Sequence, residues 1–274
     1  MNRFAGATLS WTIADRIVRV TLHHLPANEI GSATLGDLER LADALPDLER
    51  DARALVLHSS VDAGFSAGAD LGELFARMQQ LGPAERTGGV RDFLERIHRV
   101  LDALDATPLT TIAAVHGIVF GGGFELALAC DLIVADRSAR FAFPELRLGL
   151  VPGFGGVPRL RRDACGAAVR DLLLTGRSVG ADRAHQLGFV SALAGEGRQL
   201  DVALGTAAQV ARFDAVAAAA AKRFAKTIPR DELAREIDLF CELFARPEVQ
   251  EALRRFVERD DPLPWLPAAP ERRP

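Results

Sequence analysis

Two glutamates stand where acid–base chemistry can be done. Glu125 lies in the apolar run Phe124-Glu-Leu-Ala-Leu-Ala-Cys130, with no other charge before Asp131, and Glu145 follows Pro144 after Arg140-Phe-Ala-Phe143. Taken singly, each acid fits a helix cap or an ion pair, and a Glu in a first helical turn gains from the helix dipole without any chemistry. Taken together they suggest more. The spacing between them allows a helix outward, the Leu132–Ala135 strand back, and a turn that returns the chain to the same region. Two carboxyls in one apolar pocket hold separated pKa values, one suited to a base and the other to an acid.

A short repeat supplies the second element of a site. Phe65-Ser66-Ala67-Gly68-Ala69-Asp70-Leu71 aligns with Phe120-Gly121-Gly122-Gly123-Phe124-Glu125-Leu126. Both read F-x-x-G-x-acid-L, and both follow an apolar strand. Such a pattern also arises by chance in strand-to-helix turns, where glycine and an early acid are generic. Read as equivalent turns of a repeating fold, the two segments offer backbone N–H groups at helix N-termini. Small residues at Ala67 and Gly122 would let a ligand oxygen approach both groups, as in a main-chain oxyanion hole.

Other motifs carry less. Gly64-Phe-Ser-Ala-Gly68 spells the nucleophile elbow G-x-S-x-G, but that elbow needs its serine directly between strand and helix, and here a loop separates His58 from Ser66. Gly121-Gly-Gly123 fails the dinucleotide frame, whose third glycine falls at Leu126, and no P-loop lysine follows. His23 and His24 would point to opposite faces, and His58, His98, His116 and His185 show no ligand spacing, so no metal is expected. Cys130, Cys165 and Cys241 form no CxxC pair, which suits a reducing compartment.

The elements that must position these residues read as α/β. Ile17–Leu22, Ala54–His58, Thr110–Val115 and Leu132–Ala135 are strand-like, and Ala54–His58 runs into the loop Ser59–Ala69. Leu35, Leu38, Leu41 and Leu45 recur at helical spacing up to Pro46, which is expected to end or kink that helix. Phe93, Ile97, Val100, Leu101 and Leu104 mark a second helix. Strands and helices alternate to about residue 195. Further on come the Ala215–Ala221 run and the apolar faces of Ile237, Phe240, Phe244, Leu253, Phe256 and Val257, all helical, then a Pro-rich stretch from Pro262 expected to be loose. The division is expected near residue 205, giving a core of 1–205 and a helical region of 206–274.

The chain has 274 residues, 49% apolar and 26% charged, which excludes a disordered chain, a collagen-like polymer and a disulfide miniprotein. A net charge of −4 argues against nucleic-acid and anionic-membrane partners. Lys222 and Lys226 are the only lysines. The first residues lack a signal-peptide pattern, and the longest uncharged run, Ala106–Phe124, holds Thr, Pro and Gly residues that suit a buried strand and turn better than a spanning helix. A cytoplasmic protein is expected.

These residues resemble the enoyl-CoA hydratase/isomerase (crotonase) superfamily from Ile17 to about Arg259. The densest matches are Phe65–Leu71, His116–Glu125 and Phe143-Pro-Glu-Leu-Arg-Leu-Gly-Leu-Val-Pro-Gly-Phe-Gly-Gly156; Leu174-Thr-Gly-Arg177 and Leu187-Gly-Phe-Val190 follow in order. The resemblance implies a spiral of repeated ββα turns, a helical C-terminal trimerisation region, and assembly as a homotrimer or homohexamer. It implies an acyl-CoA thioester substrate, with CoA part of the substrate and no separate cofactor. It also implies an oxyanion hole at the Ala67 and Gly122 N–H groups, and a CoA site along Ala67, Gly68, Ala69, Asp70 and Leu71. Asn28 matches the family's early P-x-N loop, another part of that site, although His24 and Leu25 stand where Arg-Pro is usual.

Hydratases of this superfamily keep both glutamates, whereas isomerases commonly keep only the second. The implied reaction is syn addition of water to a trans-2-enoyl-CoA, with Glu125 assigned the water and Glu145 the proton to Cα; the reverse assignment is open at this point. Isomerisation, C–C cleavage, hydration of a cyclic or branched substrate, and a non-catalytic acyl-CoA binder are the competing readings. Val157-Pro158 departs from the usual Thr-Gln, and Arg254, Arg255 and Arg259 replace the usual lysine near the CoA phosphates. The segment Phe75–Val90 is expected to line the acyl pocket.

Overall fold

Aliphatic runs become strands where both faces of a sheet are covered. In the structure, a computed structural model that describes residues 3–258 apart from the side chains of residues 83 and 84, β1 (Arg3–Ala5), β2 (Leu9–Ala14) and β3 (Ile17–Leu22) form an antiparallel meander. Helix α1 (Ser32–Asp51) crosses to β4 (Ala54–Ser59), which pairs parallel to β3. From there one unit repeats: a strand in a large sheet, a short strand in a small sheet, then helix. The first unit is β4 with β5 (Gly64–Ser66), α2 (Leu71–Gln79) and α3 (Pro83–Ala106). The second is β6 (Thr110–Val115), β7 (Ile118–Phe120) and α4 (Gly122–Ala129). The third is β8 (Leu132–Asp136) and β9 (Arg140–Ala142), followed by a 3₁₀ turn over Glu145–Leu148, α5 (Gly156–Asp163) and α6 (Gly166–Thr175).

β10 (Val179–Gly180), α7 (Ala181–Leu187), β11 (Ala192–Ala194) and α8 (Gln199–Val210) close the spiral, and α9 (Ala215–Ala225), α10 (Arg230–Phe244) and α11 (Pro247–Val257) follow. The large sheet runs β1-β2-β3-β4-β6-β8-β11 and the small one β10-β9-β7-β5. This is the α/β spiral of ββα turns.

Two expectations change. Helix α1 runs through Pro46 to Asp51. The bond lost at Pro46 lies on the solvent side, whereas Leu45 and Leu48 are buried on the other, so packing outweighs the break. Residue 205 falls inside α8, whose Ala203 and Ala207 cover the outer face of the large sheet against Val56, Ile112, Ala114 and Val134. The helical region therefore starts with α9. The stretch from Pro262, and Arg259, lie outside the described residues. Among the described residues no helix is long and apolar enough to cross a membrane.

Helix α9 has no buried residue, and Lys222 on it and Lys226 at its C-cap hold it to the spiral. Lys222 Nζ donates to Leu109 O at 2.8 Å and pairs with Asp131. Lys226 Nζ donates to Ala129 O at the end of α4, at 2.8 Å, and pairs with Asp105 and Asp131, each at 2.7 Å. A cation at a helix C-terminus satisfies an orphan carbonyl and complements the dipole. Replacing Lys226 by Met keeps the stem but removes the charge, so we expect a loss of about 2 kcal/mol in chemical denaturation. Faster amide exchange confined first to residues 215–225 should accompany it.

Candidate active site

The small sheet brings the two repeated turns together. β5 and β7 pair in parallel, so the chain leaves both strands on the same side. The turns differ in helix phase. Asp70 caps α2, accepting Glu73 N–H at 2.8 Å, whereas α4 begins already at Gly122 and carries Glu125 inside its first turn. Equal offsets in sequence thus give one acid a capping role and send the other into the interior. Close approach of the turns depends on Gly68, at φ 98°: a Cβ there would sit 2.8 Å from Phe120 O and 3.0 Å from Gly122 N. Gly121, at φ 47°, has the same function on the other side, since its Cβ would stand 2.5 Å from Glu145 Oε1. That clearance lets the Glu145 carboxyl rest beside the α4 N-terminus.

Glu125 and Glu145 both line one cavity of about 300 Å³. Glu125 is buried, and its Oε1 accepts Phe154 N–H at 2.8 Å and Gly156 N–H at 2.7 Å. Burial pushes its pKa up to about 7, against the pull of those N–H groups and of Arg159. Glu145 is treated differently. Burial, then the neighbouring Glu125 charge, raises its pKa well above the ordinary carboxyl range. Its Oε2 is buried with no hydrogen-bond partner among the described residues. Glu125 thus has backbone donors that support its negative charge, whereas Glu145 Oε2 has none among the described residues.

The main-chain donors are arranged as follows. Ala67 N–H donates to Ala27 O at 2.9 Å, which corrects the expectation that it is open to a ligand. Ile30 bonds Gly68 O and Asp70 N, at 2.7 and 3.2 Å, so the alternation of extended chain turns the Ala69 N–H away from Ile30. Neither the Ala69 N–H nor that of Gly122, the first residue of α4, has an acceptor among the described residues. Both residues are on the cavity wall, as are Ala67, Asp70 and Leu71; Gly68 and Asn28 are not. Asn28 is buried behind the wall, its amide bonding His24 N, Ser59 Oγ and Phe65 O, so it braces the loops. Ser66 Oγ donates to Asn28 O at 2.7 Å, a bracing contact that leaves the elbow motif without a nucleophile's exposure.

The segment expected at the acyl pocket does contribute Met78, Leu81, Arg86, Gly89 and Val90 to the wall, although Phe75 is not on it. Phe93 and Leu94 of α3 and Phe154, Phe240 and Phe256 continue the apolar lining. Arg254 and Arg255 are paired with Glu251, and Arg254 also with Glu258; the cations on the wall are Arg77 and Arg86, among the described residues. Pro158 stands in the first turn of α5, where an N–H has no intrahelical partner, so it removes no helical bond. Sequence reasoning missed Arg159 and Glu236. Arg159 is wholly buried, pairing with Asp105 at 2.6 Å and Asp102 at 2.7 Å and donating to Phe154 O and Gly155 O. Glu236 interrupts the apolar stripe Leu233, Ile237, Phe240 and Phe244 of α10, a signal that was available.

The sequence profile of the enoyl-CoA hydratase/isomerase family matches residues 12–265. A protein of Rhizobium meliloti (strain 1021) named "Probable enoyl-CoA hydratase" is 37% identical over 257 residues, covering 92% of this chain and 95% of the relative. The mitochondrial methylglutaconyl-CoA hydratase of Rattus norvegicus is 32% identical over 250 residues, covering 90% and 74%. Among solved structures, Pseudomonas aeruginosa DspI matches with a TM-score of 0.73 at 31% identity, over 93% of this chain and 96% of that one. An enoyl-CoA hydratase from Bacillus halodurans matches with a TM-score of 0.80 over 91% and 100%, and at 23% identity the likeness is one of fold. With profile and relatives matching nearly the whole chain, the protein is an enzyme of the enoyl-CoA hydratase/isomerase family.

Proposed function

We propose that the protein hydrates a trans-2-enoyl-CoA to a 3-hydroxyacyl-CoA. The observation that carries this reading is the unequal treatment of two buried carboxyls on one cavity wall. Glu125 has two N–H groups to support its negative charge, and Glu145 has burial and a neighbouring charge to keep it protonated. A base and an acid are what water addition needs, and the difference supports assigning the water to Glu125 and the proton delivery to Glu145.

In this mechanism the Glu125 carboxylate takes a proton from water as the water oxygen bonds to Cβ. The C=C electron pair moves toward the thioester, placing negative charge on the carbonyl oxygen. The N–H groups of Ala69 and Gly122 stabilise that charge, an interaction that strengthens toward the transition state. The Glu145 carboxyl then delivers its proton to Cα. Glu125 ends protonated and Glu145 ionised, and the pair resets when a proton returns from one to the other. Phe154, whose ring lies against Gly122, joins Phe93, Leu94 and Phe240 beside Glu125 and favours an apolar acyl chain. Isomerisation adds no water and does not need two differently tuned acids. A cytoplasmic homotrimer or homohexamer belongs to the same reading; support comes from α9, where Val216 is 76% and Phe224 93% exposed.

Four outcomes test the reading. With crotonyl-CoA, the enoyl-thioester absorbance should fall and the product should be heavier by one water. Glu125→Gln and Glu145→Gln should each lower kcat by about 10²- to 10⁴-fold while butyryl-CoA still binds; unchanged turnover in either variant removes the mechanism. For hydration, kcat/KM should rise with pH through about 7 as Glu125 ionises, and fall at higher pH as Glu145 loses its proton. An acid limb left near the ordinary glutamate range would contradict Glu125 as the base. Butyryl-CoA, which cannot be hydrated, should shift the amide resonances of Ala69 and Gly122 in nitrogen-15 spectra and leave Ala67 the least moved of the three.

A further inference from the structure

The loop that holds Glu125 is itself held from the far side by a residue of the helical region. Along residues 153–156 the backbone groups are taken in alternation. Phe154 N–H and Gly156 N–H go to Glu125, and Gly155 N–H, between them, goes to Glu236 Oε1 at 2.6 Å. The carbonyls are taken too. Gly153 O bonds His98 Nε2 at 2.8 Å, while Arg159 donates to Phe154 O and Gly155 O at 3.1 and 3.3 Å. Glu236 is buried on α10 and lies outside the cavity wall, so it does not meet the substrate.

We propose that Glu236 is a positioning residue, its Oε1 on the Gly155 N–H fixing the loop in the register that aims Phe154 and Gly156 N–H at Glu125. Because the three N–H groups alternate along one short backbone segment, the middle one cannot swing away without turning the outer two. What Glu125 does chemically rests on the hydratase reading; the clamp itself does not. The charged and titratable groups facing this cluster are Glu145 from the 3₁₀ turn, Arg159 from α5, and His98, Asp102 and Asp105 from α3. Burial, then the Glu125 charge, raises the Glu236 pKa well above the ordinary range, and what Glu236 contributes to the clamp is its reach to the Gly155 N–H.

Reach and charge are separable. Glu236→Gln keeps the length and an acceptor oxygen but cannot ionise. Glu236→Asp keeps the acid but falls one methylene short of Gly155, and Glu236→Ala removes the group. The carboxyl titration of Glu125, followed by carbon-13 NMR in glutamate-labelled protein and assigned with Glu125→Gln, should match wild type in Glu236→Gln. In the Asp or Ala variant, whichever folds, it should move up by about one pH unit as Glu125 loses its donors. Turnover should follow, with kcat down about 10- to 100-fold and little change in KM for Asp or Ala, and near-wild-type kcat for Gln. An unmoved Glu125 titration in the Asp and Ala variants, or a larger shift in Gln than in Asp, overturns the proposal. Wild-type protein that hydrates no enoyl-CoA would end the hydratase reading, while the titration would still decide the clamp.

Discussion

An ionisable carboxylate sealed in an apolar interior is the constraint around which this molecule is organised. Burying such a charge costs several kcal/mol unless hydrogen bonds replace water. Glu125 receives two, both from the loop that opens α5. That loop has an unusual concentration of polar partners around it: Glu125 in front, Glu236 behind, and Arg159 and His98 on its carbonyls. Arg159 is in turn balanced by Asp102 and Asp105 of α3. Breaking any one of these would leave a buried polar group unpaired, so the loop, Glu125 and the helices behind them form one interdependent unit.

The spiral explains how so many distant residues converge. Each ββα unit sends its second strand into the small sheet, and parallel pairing there places successive strand-to-helix turns side by side. The first turn supplies the Ala69 N–H, the second the Gly122 N–H and Glu125, and the third Glu145. Repetition of topology does not require repetition of role. An acid at the same offset caps a helix in the first unit and titrates in the second, because α4 starts closer to its strand than α2 does.

Charge is distributed with similar economy. Arginine makes up nearly all of the basic side chains, and the two lysines fall together at the C-terminal end of α9, facing the core. Their flexible stems reach Ala129 O and Leu109 O, where compact ammonium groups satisfy carbonyls that a planar guanidinium fits less readily. Helix α10 has the opposite logic: an apolar stripe docks it, and the single acid on that stripe reaches the α5 loop. The helical region is therefore both scaffold for the cavity wall, through Phe240 and Phe256, and support for the loop that holds Glu125.

Much of this is legible in the amino-acid sequence. The strands Ile17–Leu22 and Thr110–Val115, the repeat at Phe65 and Phe120, and the pair Glu125 and Glu145 all follow from local pattern: residue type, period and spacing are properties of neighbouring positions, and they carry the fold class and the two acids. Sequence could not show which N–H is free. Ala67 and Ala69 differ by two positions in a run of small residues, and only the pairing of that run with Ala27 and Ile30 commits one donor and leaves the other. Nor could it separate the acids, whose pKa values depend on burial and on N–H groups from a loop some thirty residues away in sequence. Pro46 is expected to end or kink its helix, but buried leucines on the opposite face carry the helix onward to Asp51. What the chain specifies locally is the set of elements and candidate groups; which backbone bonds are taken, and which carboxyl holds the proton, are set by packing across elements, because desolvation and hydrogen-bond partners exist only once the chain has folded.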